Sequence, residues 1–155
     1  MTYANDRRNI SYEEGIKLGK EYLASIEPSI IRGAIIGSLL RKHDFVHDID
    51  ILAILDEGYE IPKPNKPINL FLTTVECWEA ALLQYAVGLS VMAMRSNAKK
   101  RGYKLNQYGL FKEDVLLALT AKDICTLLEI PIPEPIVRSL SGELVNQVGG
   151  WQWNS

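Results

Sequence analysis

One short unit dictates most of what this chain can become: Gly37-Ser38-Leu39-Leu40-Arg41-Lys42, followed by His47-Asp48-Ile49-Asp50-Ile51-Leu52-Ala53-Ile54. It reads as a tight glycine-serine turn, a short basic helix start, then a strand that opens on two carboxylates. Alternate residues of a strand share a face, so Asp48 and Asp50 point the same way. After the aspartates the strand, Asp48 to Leu55, is apolar on both faces, which places it centrally in a covered sheet. Two carboxylates that close repel each other unless a cation sits between them. Hard oxygens at this spacing suit Mg²⁺, which usually takes one or two protein carboxylates plus phosphate oxygens. The Gly-Ser turn upstream offers backbone N–H groups and a hydroxyl, the donors a phosphate wants. Each half alone is common, since a lone Gly-Ser is most often just a turn. Turn, helix start and acidic strand in one unit together describe nucleotide chemistry.

At 155 residues the chain is one domain, or two small lobes sharing a core. A formal net charge of −2 argues neither for nor against a nucleic-acid partner, so the distribution of charge has to decide. Arg95, Lys99, Lys100, Arg101 and Lys104 crowd together, and Arg41, Lys42 and His43 form a second cluster. Without further support the first cluster would be read as a solvated helix face. Cys77 and Cys125 lie far apart and in no Cys-x-x-Cys spacing, which favours reduced thiols and excludes a recognisable zinc site. Met1 to Asn9 is polar with no apolar core, and no apolar run approaches the roughly 20 residues of a membrane span. A cytoplasmic protein with no membrane partner is expected.

Ser11-Tyr12-Glu13-Glu14 is a capping box, and the helix behind it runs to about Ile26, stopped by Pro28. Ile30 to Ile36 is β-branched and reads as the strand that delivers the chain to Gly37. Leu39 to Lys42 begins a short helix, and Gly58 to Pro67 is a loop. Ile68-Asn69-Leu70-Phe71-Leu72 forms a third strand. Thr73-Thr74-Val75-Glu76 is a further capping box, opening a helix with Val75, Trp78, Leu82 and Leu83 on its apolar side. A helix over about Ser90 to Arg101 and a turn or short strand at Lys104 to Gly109 follow. Thr120 caps a last helix carrying Ile124, Leu127 and Leu128, and Pro131, Pro133 and Pro135 then force an extended path. Trp151 and Trp153 in the tail are expected to pack back on the sheet. His43 and His47 flank the acidic pair and are read as hydrogen-bonded neighbours rather than ligands.

These blocks resemble, in family order over most of residues 10–138, the palm and thumb of family X DNA polymerases, the polymerase beta-like group of nucleotidyltransferases. Gly37-Ser38-Leu39-Leu40-Arg41 is similar to the family's Gly-Ser-x-Arg-Arg, and Asp48-Ile49-Asp50 and the strand from Ile68 to Thr73 follow. Those blocks are generic to the superfamily. The run Arg95 to Phe111 looks like the family's thumb stretch R-x-x-A-x-x-x-G-x-x-L-N-x-Y-G-L-F, and Lys122 to Arg138 like its closing segment. These two are specific to family X and carry the most weight.

The resemblance implies an α+β fold: a nucleotidyltransferase palm over 1–84, a mixed sheet with helices on one side, followed by a small α/β thumb over 85–155. It implies two-metal phosphoryl transfer from a nucleoside triphosphate to a primer 3′-hydroxyl on DNA primer-template or gapped DNA, with Mg²⁺ or alternatively Mn²⁺, by a monomer. By position, Asp48 and Asp50 would hold metal; Gly37, Ser38, Arg41, Tyr85 and Gly88 would contact the nucleotide. Arg95 matches a template-strand contact, and Lys99, Lys100, Arg101 and Lys104 would neutralise phosphates. The chain departs from the pattern at its third catalytic carboxylate, which falls at Asn69. An amide offers neither charge nor base, so nucleotide and the first ion should bind while chemistry slows by orders of magnitude. Leu40 replaces one arginine of the phosphate block. Ala86, where the family places bulk against the sugar, would weaken ribonucleotide discrimination. So little chain precedes Gly33 that a stripped-down form without an N-terminal lyase domain is expected. Two other readings stay open: a nucleotidyltransferase with a non-DNA acceptor, and a catalytically silent nucleotide- or nucleic-acid-binding module, which Asn69 favours.

Overall fold

The computed structural model describes residues 9–147 and 150–152. Its first helix, α1 (Tyr12–Ile26), starts where the sequence caps it, with Ser11 Oγ accepting from the Glu14 N–H at 3.2 Å. A single 3₁₀ turn, Glu27–Ser29, stops it at Pro28. The apolar stretches then become strands: β2 (Ile30–Ile36), β4 (Ile49–Leu55) and β5 (Ile68–Thr73). Between the first two lie a one-turn helix, α2 (Gly37–Leu40), and a short strand, β3 (Phe45–Val46), which pairs with β1 (Ile10–Ser11).

β4 runs antiparallel to β2 and parallel to β5, so the sheet is mixed. The register positions the site: Ile36 lies opposite Asp50, and Asp50 opposite Asn69. β4 is covered on both faces, with Ile49, Ile51, Leu52 and Ala53 all at 0% exposure. α1 lies on the face that carries Ile35 and Ile49; a Cβ on Gly19 would come within 2.7 Å of Ile35 Cδ1. On the opposite face Arg32 lies 5.0 Å from the ring centroid of Trp78, the first residue of α3 (Trp78–Tyr85), so a helix meets each face.

The second half holds α4 (Ser90–Lys100), a three-stranded antiparallel sheet of β6 (Lys104–Asn106), β7 (Gly109–Lys112) and β8 (Val115–Ala118), then α5 (Ala121–Leu128) and α6 (Glu134–Leu140). The chain then returns. β9 (Val145–Gln147) pairs with β2 and β10 (Gly150–Gln152) with β9, giving the order β10-β9-β2-β4-β5. One hydrophobic cluster joins the halves, from Leu23 and Ile51 through Leu83 and Ala98 to Ile124 and Val145.

Several local expectations change. Asp48 precedes β4 rather than opening it, and α2 begins at Gly37 itself. Thr74 Oγ1 accepts from the Cys77 N–H at 3.2 Å in a turn, which delays the helix to Trp78 and leaves Val75 55% exposed instead of on the apolar side. Pro135 does not prolong an extended path; it opens α6, because the first helical turn needs no N–H from it. Trp151 sits in β10, opposite Asn146. Trp153 lies outside the described residues. No described helix is long and apolar enough to cross a membrane.

Candidate active site

Asp50 is partly buried near the start of β4, with exposed Asp48 just ahead of it. Parallel pairing sets Asn69 beside it, and Asn69 Nδ2 donates to Asp50 Oδ1 at 3.0 Å. On the other flank Gly37 adopts φ +69°, and a Cβ there would strike the Asp50 carboxylate, 3.1 Å from Asp50 Cβ. Glycine is needed twice over, for the left-handed backbone and for the space. Burial pushes the Asp50 carboxyl above its ordinary value, and the like charge of Asp48 pushes the same way; the Asn69 hydrogen bond and the Arg41 charge act against them.

A partly buried acid raised beside a second acid is an environment that a hard cation relieves. These oxygens fit an ion of the Mg²⁺ kind that keeps waters and shares phosphate oxygens. Among the described residues no group of three or more His, Cys, Asp and Glu is placed to enclose a metal unaided. Ser38, His43, Phe45, Val46, His47, Asp48 and Asp50 line a cleft of about 310 Å³, so the turn and the acids do face one space.

Arg41 follows α2 and reaches back over it. Its Nη2 donates to Ser38 Oγ at 3.4 Å and its Nη1 to Ala86 O at 3.2 Å. Gly88, at φ +65°, lets the loop after α3 lie against this guanidinium, since a Cβ there would be 3.0 Å from Arg41 Cζ. Phe71, on the same side of β5 as Asn69, stacks on Tyr85 with centroids 4.4 Å apart and an interplanar angle of 17°. Burial raises the Tyr85 hydroxyl pKa, with a smaller contribution from Tyr108. Of the expected nucleotide contacts, Ser38 and Gly88 thus each lie against Arg41, and Gly37 lies against Asp50. Ala86 brings no bulk to this loop. It is 0% exposed, its N–H donates to Leu82 O at 2.8 Å, and its carbonyl accepts from Arg41.

A second depression, about 500 Å³, is lined by Arg95, Ser96, Lys99, Tyr103, Lys104 and Leu105. Arg95 and Lys99 are one helical turn apart on α4, and Lys104 starts β6. Lys100 is exposed on α4 but does not line this depression. Arg101 is engaged elsewhere: its Nε donates to Asn97 Oδ1 at 2.7 Å and its Nη1 to Glu129 Oε2 at 2.8 Å.

With this geometry the chain is similar to the repair DNA polymerase X of African swine fever virus. A Kenyan pig isolate's protein is 28% identical over 115 residues, covering 54% of this chain and 66% of that protein. A Malawian tick isolate's is 24% identical over 151 residues, covering 77% and 86%. The chain thus spans just under two thirds of the first of these relatives. In solved structures it superposes on Leishmania infantum polymerase beta, in a ternary P/T complex, with TM-score 0.66 and 16% identity over 84% of this chain and 76% of that one. This supports a palm-thumb fold. Residues 91–139 match the family model for the DNA polymerase beta thumb. These likenesses support a resemblance to family X DNA polymerases.

The thumb match spans α4 to α6 and so contains the basic depression. Three features of this chain escaped the sequence: the Phe71 ring beneath Tyr85, the Ala86 carbonyl that takes Arg41, and a contact from Arg138 to α2. The first could have been found from strand alternation two residues beyond Asn69. The others join residues distant in sequence through backbone carbonyls, which no side-chain pattern announces.

Proposed function

We propose that this chain is a minimal DNA-directed nucleotidyltransferase for gapped or primed DNA, weakened by the amide at position 69. Palm residues 1–84 would hold the triphosphate and thumb residues 85–155 the DNA, with the returning β9 and β10 finishing the palm sheet, all within a monomer. In the reaction a primer 3′-hydroxyl oxygen bonds to the α-phosphorus, the bond from that phosphorus to its bridging oxygen breaks, and pyrophosphate leaves. Mg²⁺, or Mn²⁺, would supply charge neutralisation on the phosphates when bound.

The chain's own groups would do the rest. Asp48 and Asp50 would hold the ion that carries the triphosphate. Ser38 would donate to an outer phosphate oxygen, and Arg41, already pointed by Ala86 O, would present its planar fork. Arg95, Lys99 and Lys104 would neutralise DNA phosphates along α4. The hydroxyl proton would pass to solvent water, because Asn69 is an amide with no basic group and turns its N–H₂ toward Asp50.

The observation that carries this reading is the register that puts Gly37, Asp50 and Asn69 side by side, joined to a thumb match over 91–139. Primer extension on gapped DNA, by the chain as it stands and by Asn69→Asp, tests it. Template-directed extension that rises by at least about a hundredfold in Asn69→Asp is expected. Extension indifferent to template would favour another acceptor. Absence of extension in both, with salt-sensitive DNA binding retained, would favour the silent module that the Asn69–Asp50 hydrogen bond also suits.

A further inference from the structure

The one-turn helix that carries Ser38 cannot stand by propensity, because four residues close too few hydrogen bonds to offset nucleation. Its carbonyls are nonetheless all taken. The Arg41 N–H donates to Gly37 O at 3.0 Å, the His43 N–H to Ser38 O at 3.1 Å and the Lys42 N–H to Leu39 O at 3.0 Å. The last carbonyl, Leu40 O, accepts from Arg138 Nη2 at 2.6 Å, from a residue 98 positions away on α6. A cation at the carbonyl end of a helix is the favourable sign.

Arg138 is itself held on its other edges. Its Nε donates to Glu134 Oε2 at 2.6 Å, and its Nη1 to Glu143 Oε2. Arg138 and Glu143 are only 18% and 14% exposed, so this pair is not a solvent-screened surface bridge. Lys42 Nζ lies 3.9 Å from the same Glu143 oxygen. Next along the chain, Leu144 O accepts from the Ile35 N–H at 3.0 Å. α6 and the segment after it therefore grip the end of α2 and the strand that enters it.

We infer that Arg138 is the positioning residue of the Ser38–Arg41 phosphate cradle, so that the seating of α6 against α2 sets the affinity for a triphosphate. Arg41 begins where Leu40 ends, and its guanidinium must span Ser38 and Ala86. A shift of the turn would move both phosphate donors together. The inference rests on the nucleotide-binding reading above, and the experiment keeps the two apart.

Calorimetric titration of the full chain with Mg²⁺-dATP and with inorganic tripolyphosphate, beside anisotropy titration with gapped DNA alone, gives the readout. Arg138→Ala should weaken both phosphate ligands roughly tenfold and to the same degree. Its affinity for gapped DNA should stay within about twofold. Arg138→Lys, which keeps one donor for Leu40 O, should fall between, and adding Arg41→Ala to Arg138→Ala should cost little more. Where the alanine variant does not melt cooperatively, Arg138→Lys and Glu143→Gln carry the same expectation in smaller measure. Unchanged triphosphate affinity in folded variants, or triphosphate and DNA affinity falling in step, would overturn the inference alone. A parent chain that binds neither dATP nor tripolyphosphate would overturn the proposed nucleotide site as well.

Discussion

The hydrogen bond from Asn69 to Asp50 works in one direction, because only the amide has a proton to give. Asn69→Asp would replace that donor with a like charge. Without divalent ions it should destabilise the chain by on the order of 1–2 kcal/mol, more as pH rises through the carboxylate range, and lower Tm by several degrees. Mg²⁺ or Mn²⁺ should restore the loss, and a melting temperature indifferent to chelator would contradict the assignment. Asp50 itself is held in a costly state. Its carboxyl sits above the unfolded value, so the folded chain binds that proton more tightly. The stability this gives is complete below the ordinary carboxylate range and is lost as pH rises through the raised value. Asp50→Asn should therefore raise Tm at neutral pH and flatten this part of the pH profile, while removing metal-dependent nucleotide binding. A variant less stable than the parent at pH 7 would show that the carboxylate is not strained there.

At the scale of elements, the site depends on β2 ending at the level where β4 and β5 begin, with α2 turning tightly off β2. Gly37→Ala meets both a left-handed backbone and the Asp50 carboxylate, and should cost about 1–3 kcal/mol in thermal denaturation together with the loss of dATP binding. A neutral substitution would mean that α2 can move aside. These elements were legible before any coordinates, because apolar runs, a capping Ser11 and the Gly-Ser turn are local signals. Their adjacency was not fully so: Asn69 could be placed beside Asp50 only through family order, since parallel pairing leaves no mark in sequence. The short strands β7 to β9 carry too few alternating residues to declare themselves. Pro135 is ambiguous in sequence because proline is equally at home in an extended segment and at a helix start.

For the whole molecule, the account requires thumb charge and palm acids to serve one bound substrate. Lys99→Ala and Lys104→Ala should each weaken gapped-DNA binding and reduce the slope of log affinity against log salt by about one. Arg101→Ala should change that slope less, because Glu129 and Asn97 already hold its guanidinium. Equal slopes for all three would place the DNA elsewhere. The most direct measurement counts ions in the assembled complex. Mn²⁺ is titrated by electron paramagnetic resonance into chain, gapped DNA and a non-hydrolysable deoxynucleoside triphosphate. The account predicts one chain-dependent ion for the protein as it stands, two for Asn69→Asp, and loss of the first in Asp50→Asn. The same number of ions in all three proteins would contradict it.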